Sequence, residues 1–244
     1  MPVKKWVQEN QRDENSKYHP TWKGWKQAET GRDNEIAIVT NALVVIEECL
    51  NNATASNTTN LYLKNSTSGD NSIKFDNGVK RLKINIADYR KTTGLNLATL
   101  YVAYENVHAM ASSPPTKQKQ LNLSDNKKMT NVIIIHNPFT VAFTVGATTK
   151  TLSDWGRYMT VLHELTHSLL QTKDVWLKDA AYGVEPEDPD NAVSTDDECK
   201  ALAAAELANQ SVQYPPHLSW YNAENWTRAI MSCHPTRSAE PMYV

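Results

Sequence analysis

The chain has 244 residues, 40% of them hydrophobic, a formal net charge of −2 and a pI near 6.4. That length supports one sizeable core. The near-neutral charge, with no basic stripe, argues against a nucleic-acid partner, and no apolar run reaches the roughly 18–20 residues of a membrane span. Residues 1–30 are polar around Trp6, Trp22 and Trp25. They read as an N-terminal arm that packs by its tryptophans, or as a partly disordered lead, ahead of a single domain over 31–244. Glu35 to Leu50 carries Ile36, Ile38, Val39, Leu43, Val44, Ile46 and Leu50 at helical spacing. After a polar loop over Asn51–Asn60, the stretches Leu61–Lys64, Ser72–Phe75 and Leu82–Ile86 read as short strands, with a hairpin through Asp76-Asn77-Gly78. Leu95–Met110 reads as a second helix and Ser112–Lys128 as a loop. Asn131–His136 and Val141–Val145 read as strands, one of them a candidate edge strand for an extended peptide. Helices follow over Leu152–Thr172, Glu198–Val212 and Ala223–Cys233.

The Leu152–Thr172 helix holds the most informative residues of the chain. Ser153 suits its N-cap, and Asp154 in the first turn complements the helix dipole. Trp155, Tyr158, Met159, Leu162, Leu165 and Leu169 form its apolar stripe. Beside that stripe lies His163-Glu164-Leu165-Thr166-His167. Two histidines four apart project from one face of a helix, so both imidazoles can reach one zinc ion at about 2.0–2.1 Å. Glu164, next to the first histidine, is placed to take a proton from a metal-activated water. A zinc hydrolase needs a third protein ligand. Glu198, Glu206 and His217 are candidates, and Asp179, about a dozen residues past the helix, is the nearest good one. Tyr182 follows it, with Gly183 permitting a sharp turn, and a phenol there can donate to the oxyanion of a tetrahedral intermediate.

The HELTH run followed by Lys178-Asp179-Ala180-Ala181-Tyr182-Gly183 resembles the aspzincins, the deuterolysin and peptidyl-lysine metalloendopeptidase group. Cys199-Lys200-Ala201-Leu202-Ala203 is similar to a helix start seen in several members, and Tyr221-Asn222-Ala223-Glu224-Asn225-Trp226 to the family's N-A-D segment. The specific match covers roughly residues 150–230. The resemblance implies an α+β, zincin-like fold, helix-rich with a small mixed or antiparallel sheet and an active-site helix. It implies one Zn2+ per chain held by His163, His167 and Asp179, with Glu164 as general base and Tyr182 as oxyanion donor. Protein or peptide substrates and a secreted, extracellular setting are implied too. The positions that form an acidic pocket in lysine-specific members are Glu224 and Thr227 here, which leaves one acid of two. A general endopeptidase tolerant of basic residues is therefore expected rather than a strict lysine enzyme. Two departures stand out: Trp176-Leu177 replaces the family's Gly-Thr, and Val184–Glu198 is an acidic insert.

Three cysteines, Cys49, Cys199 and Cys233, leave at least one thiol unpaired. Cys199 and Cys233 bracket the last two helices and are a candidate bridge, whereas Cys49 suits a buried thiol. The first residues have no apolar signal-peptide core. Asn52, Asn57, Asn65, Asn122, Asn209 and Asn225 begin N-x-S/T sequons that give a secretory route weak support. A second reading of the whole is a secreted zinc-binding effector or antigen that keeps the protease fold with little or no proteolysis.

Overall fold

The computed structural model describes residues 4–8, 25–27, 33–55, 61–64, 69–90, 101–105, 116–118, 121–122, 128–129, 132–136, 142–145, 148–178, 181–184, 191–208 and 218–244. Among the described residues five α-helices carry the core: α1 (Asp33–Asn52), α2 (Gly69–Arg90), α3 (Asp154–Leu170), α4 (Asp196–Ala208) and α5 (Ala223–Met231). Strands β1 (Lys4–Gln8), β2 (Trp25–Gln27), β3 (Tyr101–Glu105), β4 (Thr116–Gln118) and β7 (Val132–His136) form one mixed sheet in the order β2-β1-β3-β7-β4. Three two-stranded antiparallel ribbons complete the described strands. They pair β5 (Leu121–Asn122) with β6 (Lys128–Met129), β8 (Phe143–Val145) with β9 (Thr148–Lys150), and β10 (Val175–Lys178) with β11 (Ala181–Val184). The chain is thus α+β. Among the described residues no helix is long and apolar enough to cross a membrane.

One apolar cluster joins α1, α2, α3 and α5. On α1 it takes Val39, Ala42, Leu43, Ile46, Cys49 and Leu50, a three- and four-residue recurrence. On α3 it takes Trp155, Tyr158, Met159, Leu162, Leu165 and Leu169. Each large aliphatic side chain buried this way contributes about 1.5–3 kcal/mol before entropy is counted. Ser153 caps α3 as expected, its hydroxyl accepting the Gly156 N–H at 3.0 Å. The chain's last residues lie across that start: Val244 and Thr151 exchange backbone hydrogen bonds, and Ser153 N–H donates to the Met242 carbonyl.

Several sequence expectations are corrected. Residues 69–90 are one helix rather than two strands and a hairpin. Leu82-Lys83-Ile84-Asn85-Ile86 alternates like a strand, but Phe75, Val79, Leu82, Ile86 and Tyr89 bury together on one helical face, and Ile73 and Ile84 stay exposed on the other. Gly78 belongs to that helix because of its neighbour. The Trp226 indole lies where a side chain would be, so that a Cβ on Gly78 would come within 2.6 Å of it. Trp226 stacks on Phe75 at 5.5 Å between ring centroids and meets Trp220 edge-on at 5.4 Å.

The helix expected over Leu95–Met110 contains β3 instead, whose Tyr101-Val102-Ala103-Tyr104 run suits a strand with parallel neighbours on both sides. The N-terminal arm supplies β1 and β2, so residues from it build two strands of the main sheet. Strand β7 is interior. The described edge strands are β2 and β4, and β4, which lies in the expected 112–128 loop, packs against α3. No disulfide forms: Cys49, Cys199 and Cys233 are all free. The Cys49 thiol lies 3.8 Å from the Met231 sulfur, and burial pushes its pKa up to about 12. Asn225 is fully buried, which removes its sequon as a glycan acceptor.

The Gly78 contact gives a direct test. An exposed helical Gly→Ala change gains about 1 kcal/mol, but overpacking a filled site costs about 1–3 kcal/mol. Gly78→Ala is therefore expected to lower the unfolding midpoint in a thermal or urea melt. A raised midpoint would show that Trp226 yields and that the close approach is not a constraint.

Candidate metal centre

Helix α3 delivers His163 and His167 to the same side, with ring centroids 4.7 Å apart and planes near perpendicular. Their Nε2 atoms are 3.1 Å apart. The chain then turns back at once. Gln171 adopts a left-handed conformation (φ 59°, ψ 35°) and its N–H closes on the Thr166 carbonyl. A non-glycine residue there is uncommon, and it brings Thr172, Lys173 and Asp174 under the histidines. Asp174 Oδ1 lies 3.2 Å from His163 Nε2 and 3.4 Å from His167 Nε2. The three groups are the described cluster that can hold a metal ion.

The other nitrogen of each ring is pinned. His167 Nδ1 donates to the Thr172 carbonyl at 2.9 Å, and His163 Nδ1 donates to Glu224 Oε2 at 3.1 Å. With Nδ1 so engaged, a ring that carries no second proton presents its Nε2 lone pair inward, the tautomer that a metal ligand needs. Two lone pairs and a carboxylate oxygen facing one another repel unless a cation or a proton lies among them. Ligand atoms of a tetrahedral zinc-type site, about 2.0–2.1 Å from the ion, stand about 3.3 Å apart. The observed separations of 3.1, 3.2 and 3.4 Å fit that requirement without rearrangement.

Electrostatics agree with the geometry. Burial disfavours a charged His163, yet hydrogen bonds to Asp174 and Glu224 and the nearby Glu164 carboxylate hold its pKa well above the ordinary imidazole value. Burial would likewise raise the Asp174 carboxyl, but its hydrogen bonds with His163 and His167 drive it far below the usual carboxylate range. The site is therefore an anionic cradle that demands positive charge.

Position of the cradle is set by a buried polar hub. Lys173 N–H donates to the Tyr221 carbonyl at 2.7 Å, and the Lys173 carbonyl accepts from Ala223 N–H at 2.9 Å. Val175 N–H donates to Asn222 Oδ1. Asp174 is thus clamped on both sides by the segment entering α5. Asn222 also donates to Asn225 at 2.6 Å and to the Val193 carbonyl, and Asn225 donates to the carbonyls of Tyr62 and Cys199. Thr166, fully buried, bonds the His163 carbonyl and the Thr172 hydroxyl.

The remaining expected residues are placed as follows. Glu164 is buried beside His163. Tyr182, on β11 opposite Leu177, packs on a second cluster of Val175, Val193, Cys199, Leu202 and Leu218. Burial, with Glu198 nearby, raises its pKa and keeps the phenol protonated. Glu198 does not join the histidines but caps α4, accepting the Ser194 and Thr195 N–H groups. Asp179 and His217 lie outside the described residues, and Glu206 is carried on α4. Glu224 and Thr227 do not line an open pocket. Glu224 is 5% exposed and bound to His163 and Arg228, and Thr227 is fully buried with its hydroxyl on the Ala223 carbonyl. Asp174 was not singled out by the sequence. Its signal is the polar Gln171-Thr172-Lys173-Asp174 run directly after the last apolar pair of the helix, Leu169-Leu170.

Comparison with protein-family models, curated proteins and solved structures gives no match. The donor set itself therefore carries the assignment of ligands. Protein incubated with zinc and desalted should lose bound metal in the Asp174→Ala variant and keep it in Asp179→Ala, as read by elemental analysis. Loss in Asp179→Ala alone would move the third ligand to the position that the family resemblance implies.

Proposed function

We propose that this chain is a zinc-dependent endopeptidase of aspzincin-like type, with His163, His167 and Asp174 holding the ion. The observation that carries this reading is the convergence of two inward Nε2 atoms and one carboxylate oxygen, at 3.1–3.4 Å, beside the buried Glu164. Two imidazoles and one carboxylate are a catalytic zinc donor set that leaves a fourth position open. When bound, zinc supplies a Lewis acid that polarises the scissile carbonyl and lowers the pKa of an attacking water.

The chain's own residues do the rest. Glu164 accepts the proton of the attacking water and returns it to the leaving amine. Asp174 and the two histidines fix where the scissile carbonyl sits relative to that carboxylate. Tyr182, kept protonated by burial and by Glu198, is the candidate donor to the oxyanion. Among the described strands β4 ends the main sheet beside α3, a place where an extended peptide can add as a further strand. With Glu224 engaged by His163 and Arg228, no lysine-selecting acid is assigned, which favours broad side-chain tolerance.

Glu164→Gln is expected to keep its zinc content while casein hydrolysis falls by about 10²–10⁴-fold, the range for loss of a positioned general base. A Gln variant with wild-type turnover overturns that role, and a wild-type protein that binds zinc but hydrolyses no peptide supports the non-proteolytic effector instead. Tyr182→Phe should lower kcat more than it raises KM. An unchanged kcat assigns the phenol to packing on the second cluster alone.

A further inference from the structure

We infer that Glu224, held by Arg228, is the positioning residue of the metal site: it fixes the orientation of His163 and thereby sets how tightly the site holds its ion. This rests on the zinc reading above. Glu224 sits in the first turn of α5, almost fully buried, with Oε2 at 3.1 Å from His163 Nδ1 and Oε1 at 2.8 Å from Arg228 Nη2. Arg228, one turn further along the same helix, donates Nη2 to the Ser194 carbonyl at 2.7 Å and lies 3.6 Å from Asp196. Asp196 in turn is bound by the Tyr62 hydroxyl at 2.6 Å and by Lys200. A continuous line of charge and hydrogen bonds therefore runs from His163 to the surface at the start of α4.

Energetics separate a positioning role from a structural one. A buried carboxylate and guanidinium are expensive to desolvate, and an apolar pair of similar volume is often as stable or more so. The pair thus has little reason to be there for the fold alone. The partner of Glu224 other than Arg228 is the one imidazole nitrogen whose hydrogen bond decides which way the ligand ring faces. Glu224 Oε2 accepts from Nδ1–H, favours that tautomer and raises the basicity of Nε2, while Arg228 Nη2 holds the other carboxylate oxygen at 2.8 Å. His167 has a neutral carbonyl in the same position, from Thr172. Only one of the two histidines is therefore tuned by charge, and its removal should be felt at the metal before it is felt in the fold.

The test is zinc affinity, by competition with a chromophoric chelator, on wild type, Glu224→Gln, Glu224→Ala and Arg228→Met, alongside the unfolding midpoint of each metal-free protein. Loss of an outer-shell partner typically weakens metal binding about 10–100-fold. That range is expected for Glu224→Ala, with a smaller loss for Glu224→Gln, which keeps an acceptor for Nδ1–H and loses the charge. Arg228→Met should fall between wild type and Glu224→Ala. Cobalt-loaded Glu224→Ala should also show a shifted visible absorption band, because the ring is free to rotate. Zinc affinity within twofold of wild type in both Glu224 variants overturns the inference while leaving the zinc site standing. A lowered midpoint with unchanged affinity assigns Glu224 to the fold and overturns it too. If Glu224→Ala does not fold, the near-isosteric Gln variant decides. A wild-type chain that binds no zinc overturns both readings.

Discussion

Two imidazole nitrogens and a carboxylate oxygen lie within 3.4 Å of one another, and the surrounding elements hold them there. Without a proton or a cation among them, the three groups repel one another and tend to move apart. Four features prevent this. The α-helical period sets His163 and His167 on one face. The left-handed Gln171 reverses the chain within one residue of the helix end. A carbonyl pins one ring and a carboxylate the other. The segment entering α5 clamps the backbone on both sides of Asp174.

That clamp links the chemistry to the core. Trp226 follows the Asn222-Ala223-Glu224-Asn225 run directly, and its indole fills the space over Gly78, stacked on Phe75. The helix that presents Glu224 to His163 is thus seated in the same apolar cluster that seats α3. Packing fixes the distance between the two helices, and the polar hub of Asn222 and Asn225 fixes the loops between them. Buried amides of this kind contribute little net stability, about 0.5–1.5 kcal/mol per hydrogen bond, but are costly to leave unmet. They act here as registration marks for the Thr172–Val175 segment, which Asn222 meets at the Val175 N–H.

How much of this was legible in the sequence depended on range. Elements with a long, unambiguous period came through: α1, α3 with its Ser153 cap, β7, and both C-terminal helices. Gly78 and the Leu82–Ile86 alternation misled because their meaning is tertiary: a glycine that reads as a turn is a seat for Trp226, and an alternating run is half exposed on a helix. Trp6 and Trp25 gave no hint that their strands would join the main sheet, since β1 pairs with β3 across more than ninety residues of chain. At the site, His163, Glu164 and His167 were visible because their spacing is local. Asp174 was not, because its approach depends on a left-handed glutamine that no propensity favours. Glu224 was visible as an acid, but its contact with His163 was not, since which group a carboxylate meets is decided by the packing of α5 against α3.

Zinc K-edge X-ray absorption on the full chain, loaded with one equivalent of zinc, tests the convergence most directly. Expected is a first shell of nitrogen and oxygen alone at about 2.0–2.1 Å, with outer-shell scattering from two imidazoles. A sulfur shell near about 2.3 Å, or scattering from fewer than two imidazoles, would contradict the claim that His163, His167 and one carboxylate form the metal site.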